Sequence, residues 1–370
     1  MLRAQTLVHF ALCLFPLLST LACGGGGDGP GGAGGTGGAG GSGGGGGTGG
    51  APMKTRIAFG SCARPPNPMP VLDLATASNP DLFMFMGDNI YGDTFTLSDL
   101  EARYAELAAA PEFKALKAKV PLIATWDDHD YGANDAGKDY PLKVESKALF
   151  LDFWEEPADS PRRTREGIYT SYLRQEAGGT VQIILLDMRW FRDALDPVTD
   201  PTKYKNDYQP TTDTTRTLLG AEQWAWLETE LTQPADVRII GTSIQFGHEY
   251  NGWESWTTMP HERERMIELL KKTGAEATIF VSGDVHWGEL SKLTAPGIYP
   301  LYDLTSSGIT ETWPIIEPNA NRVGKAISQN NYGYVEIAWG DTDHTITLGL
   351  VDKTDTIRVE QVVSTSELRF

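Results

Sequence analysis

The chain has 370 residues, with 31 basic and 49 acidic side chains and a formal net charge of −18. This balance argues against nucleic acid as a partner, which would need clustered Lys and Arg. Only three cysteines occur, and Cys62 alone lies beyond the N-terminal segment, so a disulfide framework is excluded.

Residues 1–22 are predicted to be a secretory signal, because Arg3 precedes the short apolar run "TLVHFALCLFPLLSTLA". The run ends at Cys23, and this arrangement resembles a bacterial lipoprotein signal whose cysteine is lipidated. The alternative is cleavage and secretion without a lipid. Residues 23–52 are rich in glycine and predict a flexible tether. The expected protein is exported, as a membrane-anchored lipoprotein at the cell surface or in the periplasm.

Residues 53–370 are predicted to form one domain. In six segments an apolar run ends in small or polar residues: "TRIAFGSCAR", "NPDLFMFMGDNIYGD", "VPLIATWDDHD", "TVQIILLDMRWFRD", "DVRIIGTSIQFGHE" and "EATIFVSGDVHWGE". Runs without alternation predict strands buried on both faces, and helical patterns such as "HERERMIELLKKTG" lie between them. The alternating tail, "GYVEIAWGDTDHTITLGLVDKTDTIRVEQVV", predicts antiparallel strands that close a second sheet. The fold class is therefore α/β with a two-layered sheet core.

Polar residues of ligand type follow these strands, at the edge where open α/β sheets place their sites. A thiolate, a phenolate, carboxylates and imidazoles together form the ligand set of a metal centre. The acids crowded into "TWDDHDYGAND" require a counter-charge, because like charges held close raise one another's pKa values. The residues in chain order are Cys62, Asp88, Tyr91, Asp127, Asp128, His129, Asp130, Asp187, Arg189, Gln245, His248, Asp284 and His286.

The blocks "FGSC", "MGDNIYGD", "WDDHD", "LLDMRWFR", "LGAEQWAWLETEL" and "SGDVHWGEL" resemble the alkaline phosphatase D (PhoD-like) family of the binuclear metallophosphoesterases. They stretch over residues 59–290 and cover most of the predicted domain. The resemblance implies a four-layer α/β/β/α sandwich, hydrolysis of phosphate esters, and a centre of Fe³⁺ and Ca²⁺.

The resemblance also implies which residues hold the two metals. The DxH motif usual in the first block is absent, and Cys62 stands in its place. An anionic set that suits trivalent iron would consist of Cys62, Asp88, Tyr91 and His286. The second metal would have the oxygens of Asp88, Asp128 and Asp284, which favour Ca²⁺, Mg²⁺ or Mn²⁺ over zinc. A metal-activated hydroxide would then attack phosphorus in line.

His129 is the candidate to protonate the leaving group, with an orienting role as the alternative. Asp127 and Asp130 are expected to orient the ligands. Asn134 is a candidate contact for phosphate or water.

Arg189 is predicted either to contact substrate or to form a buried bridge with Asp187. A fourth-block ligand could be His248, Gln245 or Ser243. The tryptophans Trp253, Trp256 and Trp313 are candidates to line the pocket, with packing as an equal alternative.

The sequence thus predicts a monomeric, metal-dependent phosphomonoesterase or phosphodiesterase that binds a phosphate ester and reaches the membrane through its anchor. A phospholipase D-like phosphodiesterase is the alternative within this class. A non-catalytic cell-surface binding lipoprotein on the same fold is the alternative from another class.

Overall fold

A computed structural model describes residues 53–370. The predicted signal, the Cys23 anchor and the tether lie outside the described residues. Within residues 53–370, no helix combines the length and apolar character needed to cross a membrane.

Residues 53–370 contain fifteen strands and eight α-helices. The strands are β1 (Lys54–Gly60), β2 (Leu82–Met86), β3 (Leu122–Thr125), β4 (Thr170–Glu176), β5 (Gly179–Leu185), β6 (Asp196–Pro197), β7 (Tyr208–Gln209), β8 (Val237–Gly241), β9 (Thr278–Ser282), β10 (Gly288–Leu293), β11 (Leu301–Ser306), β12 (Arg322–Ile327), β13 (Asn331–Ala338), β14 (Thr345–Asp352) and β15 (Ile357–Ser364). The helices are α1 (Pro70–Ala77), α2 (Leu97–Ala109), α3 (Pro111–Lys117), α4 (Asp128–Tyr131), α5 (Lys143–Phe153), α6 (Pro161–Thr164), α7 (Gly220–Leu231) and α8 (Pro260–Thr273). Two short 3₁₀ turns occupy Trp256–Thr258 and Thr365–Leu368.

Two large sheets form the centre of the domain. The first has the order β15-β14-β13-β1-β2-β3, and the second has the order β12-β10-β11-β9-β8-β5-β4. Strands β1, β2 and β3 are parallel, and so are β5, β8, β9 and β11. All of these parallel strands therefore end at one edge of their sheet, where polar residues follow them.

The sheets face each other, and helices cover their outer faces. Between the sheets, Phe59 and Met84 of the first pack in one core with Ile239 and Val281 of the second, all fully buried. On the outer face of the first sheet, Phe83 and Phe85 pack against helices α1, α2, α3 and α5. Helices α7 and α8 pack in the same core as the second sheet. The predicted four-layer α/β/β/α sandwich is confirmed.

The tail was predicted to close a second sheet, and this part of the prediction is wrong. Strands β13, β14 and β15 extend the first sheet, because β13 pairs antiparallel with β1. The second sheet is completed by β10, β11 and β12, which form antiparallel pairs at its edge. Alternation in the tail predicted that strands form there, but it carries no information on which sheet they join.

Candidate metal centre

Four of the proposed ligands lie just past strand ends in left-handed backbone conformation. Cys62 follows β1, Asp88 follows β2, and Asp284 and His286 follow β9, with φ angles of 63°, 50°, 71° and 62°. Left-handed conformation in non-glycine residues costs on the order of 1–3 kcal/mol each and clusters at functional sites. The two sheets meet here, since Ser61 N donates to Ser306 O at 3.1 Å.

A first group of donors consists of Cys62, Asp88 and His286, whose ligand atoms lie within 4.8 Å of one another. The Sγ of Cys62 lies 3.4 Å from Asp88 Oδ2, and the Oη of Tyr91 lies 3.0 Å from His286 Nε2. Ser307, which was not among the predicted site residues, lies 3.0 Å from the thiol and accepts from His286 N at 2.7 Å. The structure therefore brings the thiol, carboxylate, phenol and imidazole of the proposed first site together.

A second group consists of carboxylates alone. Oxygens of Asp88, Asp127, Asp128 and Asp284 lie within 4.8 Å of one another, and Asp88 also groups with Asp128 and His129. Asp88 thus belongs to every donor group found among residues 53–370. A carboxylate in that position can serve two cations at once. Asp88, Asp127 and Asp128 are almost completely buried, and Asp284 is half-buried.

The electrostatics of these groups fit a bound cation. Burial, followed by the charges of neighbouring donors, raises the pKa of Asp88 well above its ordinary value, and the pKa of Asp284 is raised in the same way. Burial raises the pKa of the Cys62 thiol to about 12. Burial lowers the pKa of His286 to about 4, so its imidazole is neutral, as a ligand must be. The anionic donors need positive charge close by to remain ionised at neutral pH.

Several buried polar atoms also have no hydrogen-bond partner within residues 53–370. Three of them belong to residues of the donor groups: Asp127 Oδ2, Asp128 Oδ1 and His286 Nδ1. Buried polar atoms in native proteins nearly always have partners, so orphans grouped at one place indicate a missing ion or water. The chemistry of the donor set and these orphans together fit the metal pair.

His129 stands at the edge of the carboxylate group, on helix α4. Its Nδ1 lies 2.6 Å from Asp93 Oδ1. Asp93 belongs to "GDNIYGD" but was not among the predicted site residues. Burial alone would lower the pKa of His129, but the charge of Asp128 and the hydrogen bond with Asp93 outweigh it and raise the pKa to about 9. The imidazole is therefore a cation at neutral pH in the metal-free protein.

Asp130 and Asp127 support the loops that carry the donors. Asp130 accepts from the backbone N–H groups of Asp88 at 3.2 Å, Asn89 at 3.4 Å and Asp127 at 2.6 Å. This ties the loop after β2 to the loop after β3. Asp127 accepts from Ser243 Oγ at 2.8 Å and forms a short ion pair with Arg189. Of the three fourth-block candidates, Ser243 is thus the one that reaches this cluster.

Arg189 lies in a buried ionic network. Its guanidinium is fully buried and pairs with Asp127 and Glu254, while Arg192 Nε lies 2.7 Å from the other oxygen of Glu254. Asp187 does not take part, because its carboxylate accepts from Trp126 Nε1 and from backbone N–H groups. The role of Glu254 was not predicted. A single acidic residue in the aromatic loop "GWESW" does not indicate that it forms ion pairs with residues distant in sequence.

His248 and Gln245 belong to a separate buried cluster. His248 Nε2 lies 3.8 Å from Glu289 Oε1, and Gln245 Nε2 donates to the same oxygen at 2.8 Å. Neither is part of a donor group around Asp88. Asn134 lines the pocket, and its Nδ2 donates to Asp135 Oδ2 at 2.8 Å.

A pocket of about 170 Å³ opens over the donors. Its floor is formed by Asp128, His129, Asp284 and His286. It is also lined by residues for which the sequence predicted no role or left the role open. These are Asn134, Asp135, Asp207, Tyr208, Trp253, Glu254, Val285 and Trp313. Trp256 packs instead in the core against Trp224 and Phe246.

The sandwich and the paired donor groups define the metallophosphoesterase class of fold. A family model described as "PhoD-like phosphatase" matches residues 57–332, and the chain belongs to this family. Over 259 residues it is 26% identical to alkaline phosphatase D of Bacillus subtilis (strain 168). That match spans 58% of this chain and 42% of the relative, so less than half of the relative's length is represented.

Two solved structures share the fold. "Structure of PhoD" is similar with a TM-score of 0.65 at 19% identity, over 84% of this chain and 72% of that chain. "GAP50 the anchor in the inner membrane complex of Plasmodium" is similar with a TM-score of 0.55 at 12% identity, over 83% and 88% of the two chains. At such identities the likeness concerns the fold alone.

Proposed function

We propose that the protein is a metal-dependent phosphoesterase that hydrolyses phosphate monoesters or diesters. The observation that carries the proposal is the position of Asp88, whose carboxylate is common to a sulfur- and nitrogen-containing donor group and to an all-oxygen group. Family membership supports the same reaction class.

The two donor groups differ in chemistry, and this difference supports an unlike metal pair. Fe³⁺ would be held by Cys62, Asp88, Tyr91 and His286. Ca²⁺, Mg²⁺ or Mn²⁺ would be held by Asp88, Asp128 and Asp284. When bound, such ions neutralise charge on phosphoryl oxygens and make water a stronger acid.

The side chains around the donors have separate tasks in this proposal. His129 places a positive charge at the pocket floor, and Asp93 holds its Nδ1, which leaves the opposite ring nitrogen for the ester. Protonated His129 can donate to the departing oxygen. Asn134 can donate an N–H to a substrate oxygen from the pocket wall. Asp130 keeps the loops of Asp88 and Asp127 in register.

The direct test is metal analysis of the purified protein, with hydrolysis assays on an aryl monoester, an aryl diester and a phospholipid. We expect Asp88→Asn to lose both metals and at least about a thousandfold in turnover, because one carboxylate serves both groups. Asp152→Asn, an exposed aspartate on α5, is the matched control. Normal turnover in Asp88→Asn would overturn the proposal.

Two other functions are distinguished by the same assays. Turnover of the phospholipid alone would favour a phospholipase D-like diesterase. Metal-loaded protein without any turnover would favour a non-catalytic binding protein; GAP50, whose fold is similar, is an anchor in the inner membrane complex of Plasmodium. The presence of every proposed donor supports the enzyme.

We also propose that Cys23 carries a lipid that anchors the exported domain to a membrane at the cell surface or in the periplasm. The sequence around Cys23 and the glycine-rich stretch after it support this. Fatty-acid labelling that persists in Cys23→Ser would contradict it.

A further inference from the structure

Two tryptophans stand as a wall directly beside the metal centre. Trp313 N donates to His286 O at 2.9 Å, and the indole lies 4.8 Å from the His286 ring centroid. Trp253 packs against Trp313 with ring centroids 5.1 Å apart. Both indoles are half-buried, so each keeps a face open.

A second recess lies against the same two tryptophans. Its other lining residues are Asn206, Pro314, Ile315 and Glu317. The Ile315 side chain is 76% exposed and adds apolar surface beside the two indoles. Glu317 presents no free charge, because it pairs with Lys205 at 2.7 Å and accepts from Asn206 at 2.9 Å.

The ionic network holds the part of the wall that Trp253 forms. Glu254 follows Trp253 in the chain, and both of its oxygens pair with buried arginines. The preceding Gly252 has φ 81°, and a Cβ there would lie 2.4 Å from Lys205 O, so the turn requires glycine. An aromatic platform fixed before binding loses little entropy when a ligand stacks on it.

We propose that the substrate's organic part is apolar and binds in this recess, against Trp253, Trp313 and Ile315, while its phosphate lies over the donors. The inference rests on the proposed function and names its substrate class. The recess adjoins the pocket, because the two tryptophans line both. Neither lining contains a Lys or Arg among the residues that the structure describes, so a second anionic group would be poorly held.

The test uses short n-alkylphosphonates, which share one uncleaved head group and remain monomeric in solution. Their affinities for the metal-loaded, full-length protein are measured by calorimetry and by inhibition of aryl monoester hydrolysis. Full burial of a methylene changes affinity about fourfold, and half-burial in an open recess about twofold. We therefore expect hexylphosphonate to bind about 30-fold more tightly than methylphosphonate.

Ile315→Ser should weaken hexylphosphonate several-fold and leave methylphosphonate unchanged. Ile357→Ser, at a 52% exposed position that begins β15, is the matched control and should change neither. Equal affinities along the series in the unaltered protein would overturn the inference. So would a chain-length dependence that survives in both Ile315→Ser and Trp253→Ser.

The two proposals fail separately. Absence of hydrolysis with a clear chain-length dependence in calorimetry would refute the phosphoesterase and keep the apolar recess. Hydrolysis together with equal affinities for all the alkylphosphonates would support the phosphoesterase and refute the apolar recess.

Discussion

Glu254 holds two buried guanidinium groups, and its replacement by glutamine tests the ionic network beneath the pocket. Its Oε1 lies 2.7 Å from Arg192 Nε and its Oε2 pairs with Arg189, with all three side chains at most 2% exposed. Arg189 keeps Asp127 as a partner in the variant, but no other carboxylate is paired with Arg192 among the described residues. A glutamine of the same shape would turn an N–H donor toward one of the two arginines.

The expected cost follows from this geometry. Removing one partner of a buried ion pair leaves an uncompensated charge and typically costs about 3–5 kcal/mol. Because Glu254→Gln keeps one acceptor, we expect the free energy of unfolding to fall by about 3 kcal/mol. Urea denaturation of the chelated protein measures this without any contribution from bound metal.

Glu268→Gln is the matched control, since Glu268 pairs with Lys271 on α8 and its side chain is 69% exposed. An exposed pair is worth less than about 1 kcal/mol, so the control should unfold almost like the unaltered protein. Equal losses in the two variants would refute the view that the network is a buried, cooperative support of the site.

Three further predictions concern the donors and their neighbours. Asp93→Asn removes the carboxylate at His129 Nδ1, so the pH at which activity falls on the alkaline side should move down by about one unit, as for loss of one charged hydrogen bond; an unchanged pH–rate profile would contradict the acid role. Cys62→Ser should lower the free energy of unfolding of the chelated protein by less than about 1 kcal/mol, because the serine hydroxyl can also hydrogen-bond with Ser307. It should weaken the binding of one metal at least about tenfold in chelator competition; unchanged affinity for both metals would count against a thiolate ligand. Between pH 6.5 and 9 the chelated protein should lose stability as pH rises, since His129, with a pKa of about 9, holds a proton that the unfolded chain has released; urea midpoints that rise over this range would refute the assignment.

The sequence predicted the parts of the site that lie next to strands. Cys62, Asp88, Asp128 and Asp284 each follow an apolar run, and the rule that parallel strands end at one edge brings them together. Their gathering at one edge followed from local pattern and the known behaviour of such sheets, whereas their division between two metals was implied by the family resemblance. The fold class followed from the same runs, because strands buried on both faces require covering helices.

The remaining parts depend on contacts that no local pattern contains. Glu254 pairs with Arg189 and Arg192, which lie more than sixty residues away in the sequence. A single acidic residue in a loop does not indicate which distant residues it will pair with. Asp93 contacts His129 through a hydrogen bond, and Ser307 contacts both Cys62 and His286. The sequence likewise could not show which sheet the tail joins, because alternation shows which face a side chain lies on and not which strands pair with one another.

The left-handed conformations of Cys62, Asp88, Asp284 and His286 have a consequence for how this protein could change under selection. Glycine adopts such conformations at no steric cost. At each of these four positions a substitution by glycine would therefore relieve backbone strain and would also remove a side chain that binds metal. Selection for heat resistance in the presence of a chelator should therefore erode the ligands first. Only a requirement for the bound metals would preserve these four ligands, because backbone strain alone would favour glycine at each position.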